Sequence, residues 1–304
     1  MNTPKVIAIV VALNPKENEL RALLEAVAPQ VQQIIVIDNG SDLGKLDWMA
    51  SFIQDLPMEI HTLEQNYGVA TAQNKGIALA KQYGATYVLL LDDDSIPPPE
   101  MVSTLLSVTL DKEAAGIRVG SVGPAYEDPT HTTSHKSFVD LDDFSLIYRD
   151  INGPENIVSV AYTIASGSLI SIATLDAVGP MKDELFVDYV DIEWGLRARH
   201  LGFQSFGVCN LLMVHQLGYF TRVVMGKSFR FHNPLRHYYQ FRNAIWLYRQ
   251  PYLSMSNKIG ESYRLMLRFA ACAVLAKERQ HNLKMMLIGL AHGISGKLGK
   301  LGKF

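Results

Sequence analysis

The sequence predicts an α/β protein: a mainly parallel sheet flanked by helices, followed by a basic, helical C-terminal region. Three observations lead there. Short apolar runs rich in Val, Ile and Leu recur through the first half of the 304-residue chain, and each stops abruptly at polar or turn-forming residues, as parallel strands buried on both faces do. Segments of helical spacing separate these runs, and strands alternating with helices form a right-handed parallel sheet. The charge is also divided: residues 222–304 hold 15 Lys and Arg against Glu261 and Glu278 alone, so the first 221 residues are strongly acidic while the whole chain is formally −2. This divides the chain into a main domain, 1–221, and a basic unit, 222–304, whose surplus calls for an anionic partner, nucleic acid or a membrane surface.

Composition sets the bounds. With 48% hydrophobic residues the chain can bury a large core. Two cysteines, Cys209 and Cys272, are too few for a disulfide framework and lack metal-ligand spacing, so a reduced, cytosolic compartment is expected. Met1-Asn2-Thr3-Pro4-Lys5 leads straight into a strand with no cleavage site, which argues against a signal peptide. No window reaches the ~20 apolar residues of a spanning helix.

In chain order, Lys5 to Leu13 reads as the first strand, ended by Asn14-Pro15 and followed by a helix over Glu19 to Val27. Gln33 to Ile37 is the second, closed by the turn Asp38-Asn39-Gly40-Ser41, where Asn-Gly supplies the reversal. A helix near Leu46 to Gln54 and a strand from Met58 to Leu63 follow, and Asn66-Tyr67-Gly68 opens a long helix through Ala80 carrying Asn74. The fourth strand, Tyr87 to Leu91, runs into Asp92-Asp93-Asp94-Ser95, and Pro97-Pro98-Pro99 opens the next helix. Ligands of open α/β sheets sit beyond the carboxyl ends of such strands, and three adjacent carboxylates there suit a hard cation such as Mg²⁺ or Mn²⁺; a solvated acidic loop is the alternative. No Gly-x-Gly-x-x-Gly follows the first strand and no Walker A loop is present, which disfavours dinucleotide oxidoreductases and P-loop NTPases.

In the second half, Val119 to Pro124 is strand-like, and the polar stretch 127–156 reads as a long loop or edge excursion, in which His131 and His135 are solvated rather than a metal pair. Val158 to Ile172 is β-rich, broken by Ser166-Gly167-Ser168. A second acidic cluster, Phe186 to Trp194, runs into a helix that places Asp188 and Asp191 near its N-terminal turn, where carboxylates are favoured. Two strands, Gln204 to Val208 and Leu212 to His215, follow; the terminal His215 is equally a structural residue or a ligand. Three helices, His237 to Arg249, Ile259 to Ala276 and about Asn282 to Ile294, close the chain. Their apolar residues, including Leu265, Met266, Met285, Met286, Leu287 and Ile288, could pack on the main domain, but the excess of cations favours a bilayer interface.

Taken in order and spacing, Asp38-Asn39-Gly40-Ser41, Asn66-Tyr67-Gly68 with Asn74, Asp92-Asp93-Asp94-Ser95 and Asp188-Tyr189-Val190-Asp191-Ile192-Glu193-Trp194 resemble the family 2 inverting glycosyltransferases of GT-A fold, which is Rossmann-like. Ser166-Gly167-Ser168-Leu169-Ile170 and Arg236-His237-Tyr238-Tyr239-Gln240-Phe241-Arg242-Asn243 are most similar to bacterial L-rhamnosyltransferases of surface-polysaccharide assembly, and the resemblance covers residues 5–250. It implies a nucleotide-sugar site at Val11, Asp38, Asn66, Gly68, Asn74, Asp92 and Asp93, and a Mg²⁺ or Mn²⁺ site at Asp92, Asp94 and His215. It implies Asp191 as catalytic base with Asp188 as the alternative, acceptor contacts from Asp188, Tyr189, Glu193 and Trp194, and a diphosphate contact from Arg242. The chain departs from the family at Val190-Asp191, where relatives often read Glu-Asp, and at Val11-Ala12-Leu13-Asn14, where they read Thr-Tyr-Asn.

The implied activity is transfer of L-rhamnose from dTDP-L-rhamnose to a polyprenol-diphosphate-linked saccharide of O-antigen type, by a peripheral protein on the cytoplasmic face of the bacterial inner membrane. Another hexosyl- or galactofuranosyltransferase is the alternative within the class. The chemistry agrees: a cation on the strand-end acids neutralises a leaving diphosphate, and a carboxylate from the second cluster deprotonates the acceptor hydroxyl. A sugar-1-phosphate nucleotidylyltransferase would need a Gly-rich basic loop where Asn14-Pro15-Lys16-Glu17 stands. A non-catalytic membrane adaptor is a rival from another class. Nucleic acid is the weaker partner, because cations alternating with apolar helix faces suit lipid.

Overall fold

The computed structural model describes residues 4–45, 47–52, 56–127, 137–141, 146–151, 153–215, 220–224, 227–276 and 278–302. The first half alternates as expected: β1 (Val6–Ala12), α1 (Glu17–Val27), β2 (Gln33–Asp38), α2 (Met49–Phe52), β3 (Met58–Thr62), α3 (Val69–Gln82), β4 (Tyr87–Asp92), the two-residue β5 (Ser95–Ile96) and α4 (Met101–Ala114). The second half holds β6 (Val119–Glu127), β7 (Ser137–Leu141), β8 (Leu146–Asp150), β9 (Ile157–Val160), β10 (Ser168–Ser171), α5 (Ile172–Val178), α6 (Val190–His200) and β11 (Gln204–His215). Then come β12 (Phe220–Val224), β13 (Lys227–Phe231), α7 (Pro234–Tyr248), α8 (Met255–Leu275) and α9 (Arg279–Ser295).

The central sheet runs β3-β2-β1-β4-β10-β6-β11-β5, with β9 on β11. Its first four strands are parallel, whereas β10 is antiparallel to both β4 and β6, so the sheet is mixed. Alternate residues of β1 feed opposite layers: Val6, Ala8 and Val10 pack with α1 and α4, while Ile7 and Ile9 pack with α3 and α6. Register brings Val11 opposite Asp92 and Ala12 opposite Asp38, so the carboxyl ends of β1, β2 and β4 share one edge.

Three expectations need correction. The stretch expected as a long loop contains the antiparallel pair β7–β8, held down by Phe138, whose ring packs with Ala125, Val158 and Cys209; one buried aromatic anchors a segment whose average composition is polar. His131 and His135 lie outside the described residues. The two strands at Gln204 and Leu212 are one strand, bulged between Val208 and Leu212. Finally, the basic unit opens on the hairpin β12–β13, because charge balance carries no information about backbone conformation; helix starts at Pro234, where Asn233-Pro234 in the sequence already marks its beginning.

Nor is α7 an appendage. His237, Tyr238, Tyr239, Phe241, Arg242, Asn243 and Ala244 are all buried, so the helix is covered nearly all round, as a core helix is. On one side it meets α9 at very short range: a Cβ on Gly289 would stand 2.5 Å from Tyr238 O, and one on Gly293 2.7 Å from Arg242 O. Met285 and Met286, expected to face lipid, are buried against α7 instead, while Leu287 is exposed. Among the described residues no helix is long and apolar enough to cross a membrane.

Candidate active site

The three aspartates after β4 do not act together. Asp92 N–H donates to Ser166 Oγ (3.1 Å), which lies 2.6 Å from Ser95 Oγ, so two hydroxyls brace the turn. Asp92 itself lines a cleft beyond the sheet edge. Asp93 instead accepts the Leu13 N–H at 3.0 Å, joining this turn to the end of β1. Burial pushes its carboxyl up to about 7, with Asp94 and Asp92 adding to the rise. Asp93, expected at the nucleotide, thus also has a structural bond. Asp94 and Asp92 remain as hard oxygen donors at the strand end. His215 pairs through its backbone with Ser95, beside them, and its side chain lies outside the described residues. Among the described residues no three His, Cys, Asp or Glu side chains form a complete metal cluster. Asp92 at the cleft, with Asp94 two residues on, nevertheless fits Mg²⁺ or Mn²⁺, which are held by one or two carboxylates together with substrate phosphates.

Asp38 is buried at the end of β2 and accepts the Ser41 N–H at 2.9 Å, an Asx turn. Asn39 accepts the Tyr67 N–H (3.0 Å) and donates to Asn66 Oδ1 (3.2 Å), which also accepts the Gly68 N–H at 2.9 Å. Gly68 is required by contact: its φ is +93°, and a Cβ would lie 2.5 Å from Phe186 O. The Asn66–Gly68 loop therefore rests on the loop that carries the second acidic cluster. Asn74 does not face a nucleotide, because both ends of its amide are bonded to Met181 and its NH₂ also reaches Asp183 (2.7 Å), tying α3 to that loop.

The second acidic loop is strained. Phe186, Asp188 and Tyr189 have φ of +66°, +58° and +67°, a region costly for residues with a side chain, about 1–3 kcal/mol each. The conformation persists because α7 holds it. Asn243 Nδ2 shares its donors among Leu185 O (3.0 Å), Val187 O (2.9 Å) and Asp188 O (2.8 Å). Arg242 donates to Leu185 O at 2.7 Å, to Glu184 O and to Gly299 O, and Phe186 stacks on Tyr239 at 5.1 Å. Fully buried, Arg242 cannot meet a substrate diphosphate, so that expectation is corrected to a structural role. Residues 299–301 complete the clasp: Gly299 N–H donates to Glu184 O (2.7 Å), Lys300 Nζ to Asn66 O (3.0 Å) and Leu301 N–H to Tyr239 Oη (2.9 Å).

The clasp presents Asp191 in the first turn of α6. Its carboxylate accepts the Ile192 N–H (2.9 Å) and the Ala165 N–H (3.2 Å). Burial nevertheless raises it to about 6, with Asp92 and Asp188 contributing in the same direction. Burial raises Asp188 as well, against the pull of Arg236, whose Nε lies 3.0 Å away. Asp191, Asp92, Asp188, Gln73, Arg236 and Arg268 line one cleft of about 390 Å³, within the usual range for ligand sites. Tyr189 lines it too. Glu193 and Trp194 do not: Glu193 is fully buried against Arg197 (2.8 Å), and the Trp194 indole donates to Gly179 O (2.9 Å) within the core. Glu193 is two residues from Asp191, nearly opposite on α6, whereas Trp194 shares the face of Asp191 one turn further on, where its indole is held in the core by Gly179. Gln73 and Arg268 were missed; neither belongs to a motif, and only the fold brings them beside the acids.

Residues 7–173 match the glycosyl transferase family 2. Over 303 residues the chain is 28% identical to the dTDP-rhamnosyl transferase RfbF of Shigella flexneri, covering 97% of each. Among solved structures, GalNAc-T7 crystallised with UDP, GalNAc and Mn²⁺ superimposes with a TM-score of 0.59 at 12% identity, over 97% of this chain and 58% of that one. S. aureus TarS 1-349 in complex with UDP-GlcNAc also gives 0.59, at 16% identity, over 96% and 81% of the two chains. At such identities these two structures speak for a common fold.

Proposed function

The chain belongs to the glycosyl transferase family 2, and on that premise we propose a metal-dependent, inverting transfer of L-rhamnose from dTDP-L-rhamnose to a polyprenol-diphosphate-linked saccharide of O-antigen type. The observation that carries the reading is that Asp92, at the end of β4, and Asp191, at the start of α6, line the same cleft. Asp92 and Asp94, with His215 as a further candidate, would hold Mg²⁺ or Mn²⁺, which when bound would neutralise charge on the leaving diphosphate. Asp191 accepts the proton of the acceptor hydroxyl; raised to about 6, it is ionised at neutral pH yet more basic than an exposed aspartate. Asp188 is the poorer base because Arg236 is paired with it. Displacement in one step inverts the anomeric centre.

The donor assignment is supported by likeness to RfbF along almost the whole chain. The acceptor assignment is supported by Arg236 and Arg268, which place guanidinium groups in the cleft suited to a phosphate-bearing acceptor. Peripheral attachment to the cytoplasmic face of the inner membrane is supported by α8, whose Met255, Ile259, Tyr263, Met266 and Val274 are exposed at helical spacing, with Lys258 and Arg264 on the same helix. The proposed lipid-facing surface is thus on α8. The test is transfer from a panel of dTDP-, UDP- and GDP-sugars to a lipid-linked acceptor, with Mn²⁺, Mg²⁺ or EDTA. Preference for another sugar nucleotide overturns the donor assignment, undiminished transfer in EDTA overturns the metal, and a bound donor that is never turned over leaves an adaptor.

A further inference from the structure

We propose that Gln73 forms a hydrogen-bonding subsite for a hydroxyl group of the transferred sugar; this rests on the donor reading above. Gln73 sits on α3 and is only 2% exposed, yet its Oε1 has no hydrogen-bond partner among the described residues. Buried amides in folded proteins are almost always bonded, and neighbouring side chains in this protein obey the rule. Asn74, the next residue, has both ends of its amide engaged, and so has Gln240 across the cleft. What distinguishes Gln73 is its position, since it lines the cleft together with Asp92, Ala165 and Asp191.

That position selects the ligand. In a single displacement the acceptor oxygen, the anomeric carbon and the leaving oxygen lie in line. The base stands at one end and the diphosphate at the other, so the transferred ring lies between Asp191 and Asp92. A side chain that lines the cleft with both carboxylates meets that ring. An amide is suited to the task, because a half-turn of its terminal group lets it donate to or accept from a hydroxyl. It also adds no charge beside two carboxylates. The competing partner is a single water in a small cavity that Gln73 lines with Ser121, Thr163, Ser168 and Trp194, which would bond Oε1 whether or not a sugar is bound.

Titration calorimetry with Mn²⁺, comparing dTDP with dTDP-L-rhamnose, separates these cases. Gln73→Leu is close in volume, and Gln73→Met is a second apolar replacement should the leucine pack badly. The expected result is unchanged dTDP affinity, about a 10-fold loss of the extra affinity contributed by the sugar, and a melting temperature without donor that is equal to or above wild type. A purely structural glutamine would instead lower the melting temperature. An unchanged sugar increment, or an equal loss for dTDP and dTDP-L-rhamnose, overturns the subsite. If wild type gains from a different sugar nucleotide, the donor assignment above fails, and the same comparison on that nucleotide decides the role of Gln73. If it gains from none, both readings fall.

Discussion

Replacing Asp191 by Asn should abolish transfer while making the protein more stable, and the gain should depend on pH in a definite direction. Burial raises this carboxyl from 3.8 to about 6. A carboxyl raised on folding destabilises the fold wherever it must ionise: the cost is absent below the unfolded value, grows between 3.8 and about 6, and is complete above that. At about 1.36 kcal/mol per pH unit, the full cost is about 3 kcal/mol at neutral pH. Asparagine removes the charge but keeps only one acceptor oxygen for the two N–H groups of Ile192 and Ala165, which returns about 1 kcal/mol. For a 304-residue chain the net gain of about 2 kcal/mol corresponds to a rise of about 3 °C in melting temperature. The assay is thermal unfolding of both proteins in EDTA, from pH 4 to pH 8, alongside transfer rates with metal. Asp191→Asn should melt higher at pH 8, lose that advantage near pH 4, and turn over at least about 100-fold more slowly. Equal melting at pH 8, or an advantage that grows in acid, would refute the burial argument. Loss of donor affinity would move Asp191 into the nucleotide or metal site.

Asp94→Asn should remove activity and the metal-dependent part of donor binding, read by titration with and without Mn²⁺; unchanged turnover would dismiss the strand-end acids. Asn243→Ala should cost about 2–3 kcal/mol in a urea melt and slow transfer more than it weakens dTDP binding, because it releases the carbonyls of the strained loop. Gly68→Ala should lower both melting temperature and transfer, since the new methyl group meets Phe186 O. Flotation with anionic liposomes, partly released by salt, should fall for Ile259→Glu and Met266→Glu on α8 and persist for Leu287→Gln on α9. Point substitutions suit this test because truncation after Ser256 would strip α9 from the buried face of α7.

The parallel half of the sheet was legible because strands buried on both faces leave continuous apolar runs, as at Val6 to Ala12 and Tyr87 to Leu91. β10 was harder to read: only four residues long, it is inserted antiparallel between β4 and β6, and orientation leaves no mark on so short a run. Acids at strand ends were visible, but a motif does not say which way each carboxylate turns, so Glu193 was expected at a cleft from which it is buried away against Arg197. Arg242 misled for a related reason, since an arginine committed to backbone carbonyls reads the same as one awaiting a phosphate. Gln73 carries no local signal; its interest comes from the burial of an unbonded oxygen beside residues distant in sequence.

The clasp of residues 299–301 also bears on how the protein is made. Lys300 bonds the carbonyl of Asn66 across 234 residues of chain, and at about 5–20 residues per second that separation is roughly 10–50 s of synthesis. From Asp191 to Lys300, the last 109 residues of that stretch and about 5–20 s of synthesis, the parallel strands and both groups of acids have already been made. The loop at 184–188 still lacks first the donors of Arg242 and Asn243, then Gly299. A ribosome-bound chain thus acquires its reactive groups early and their final alignment late.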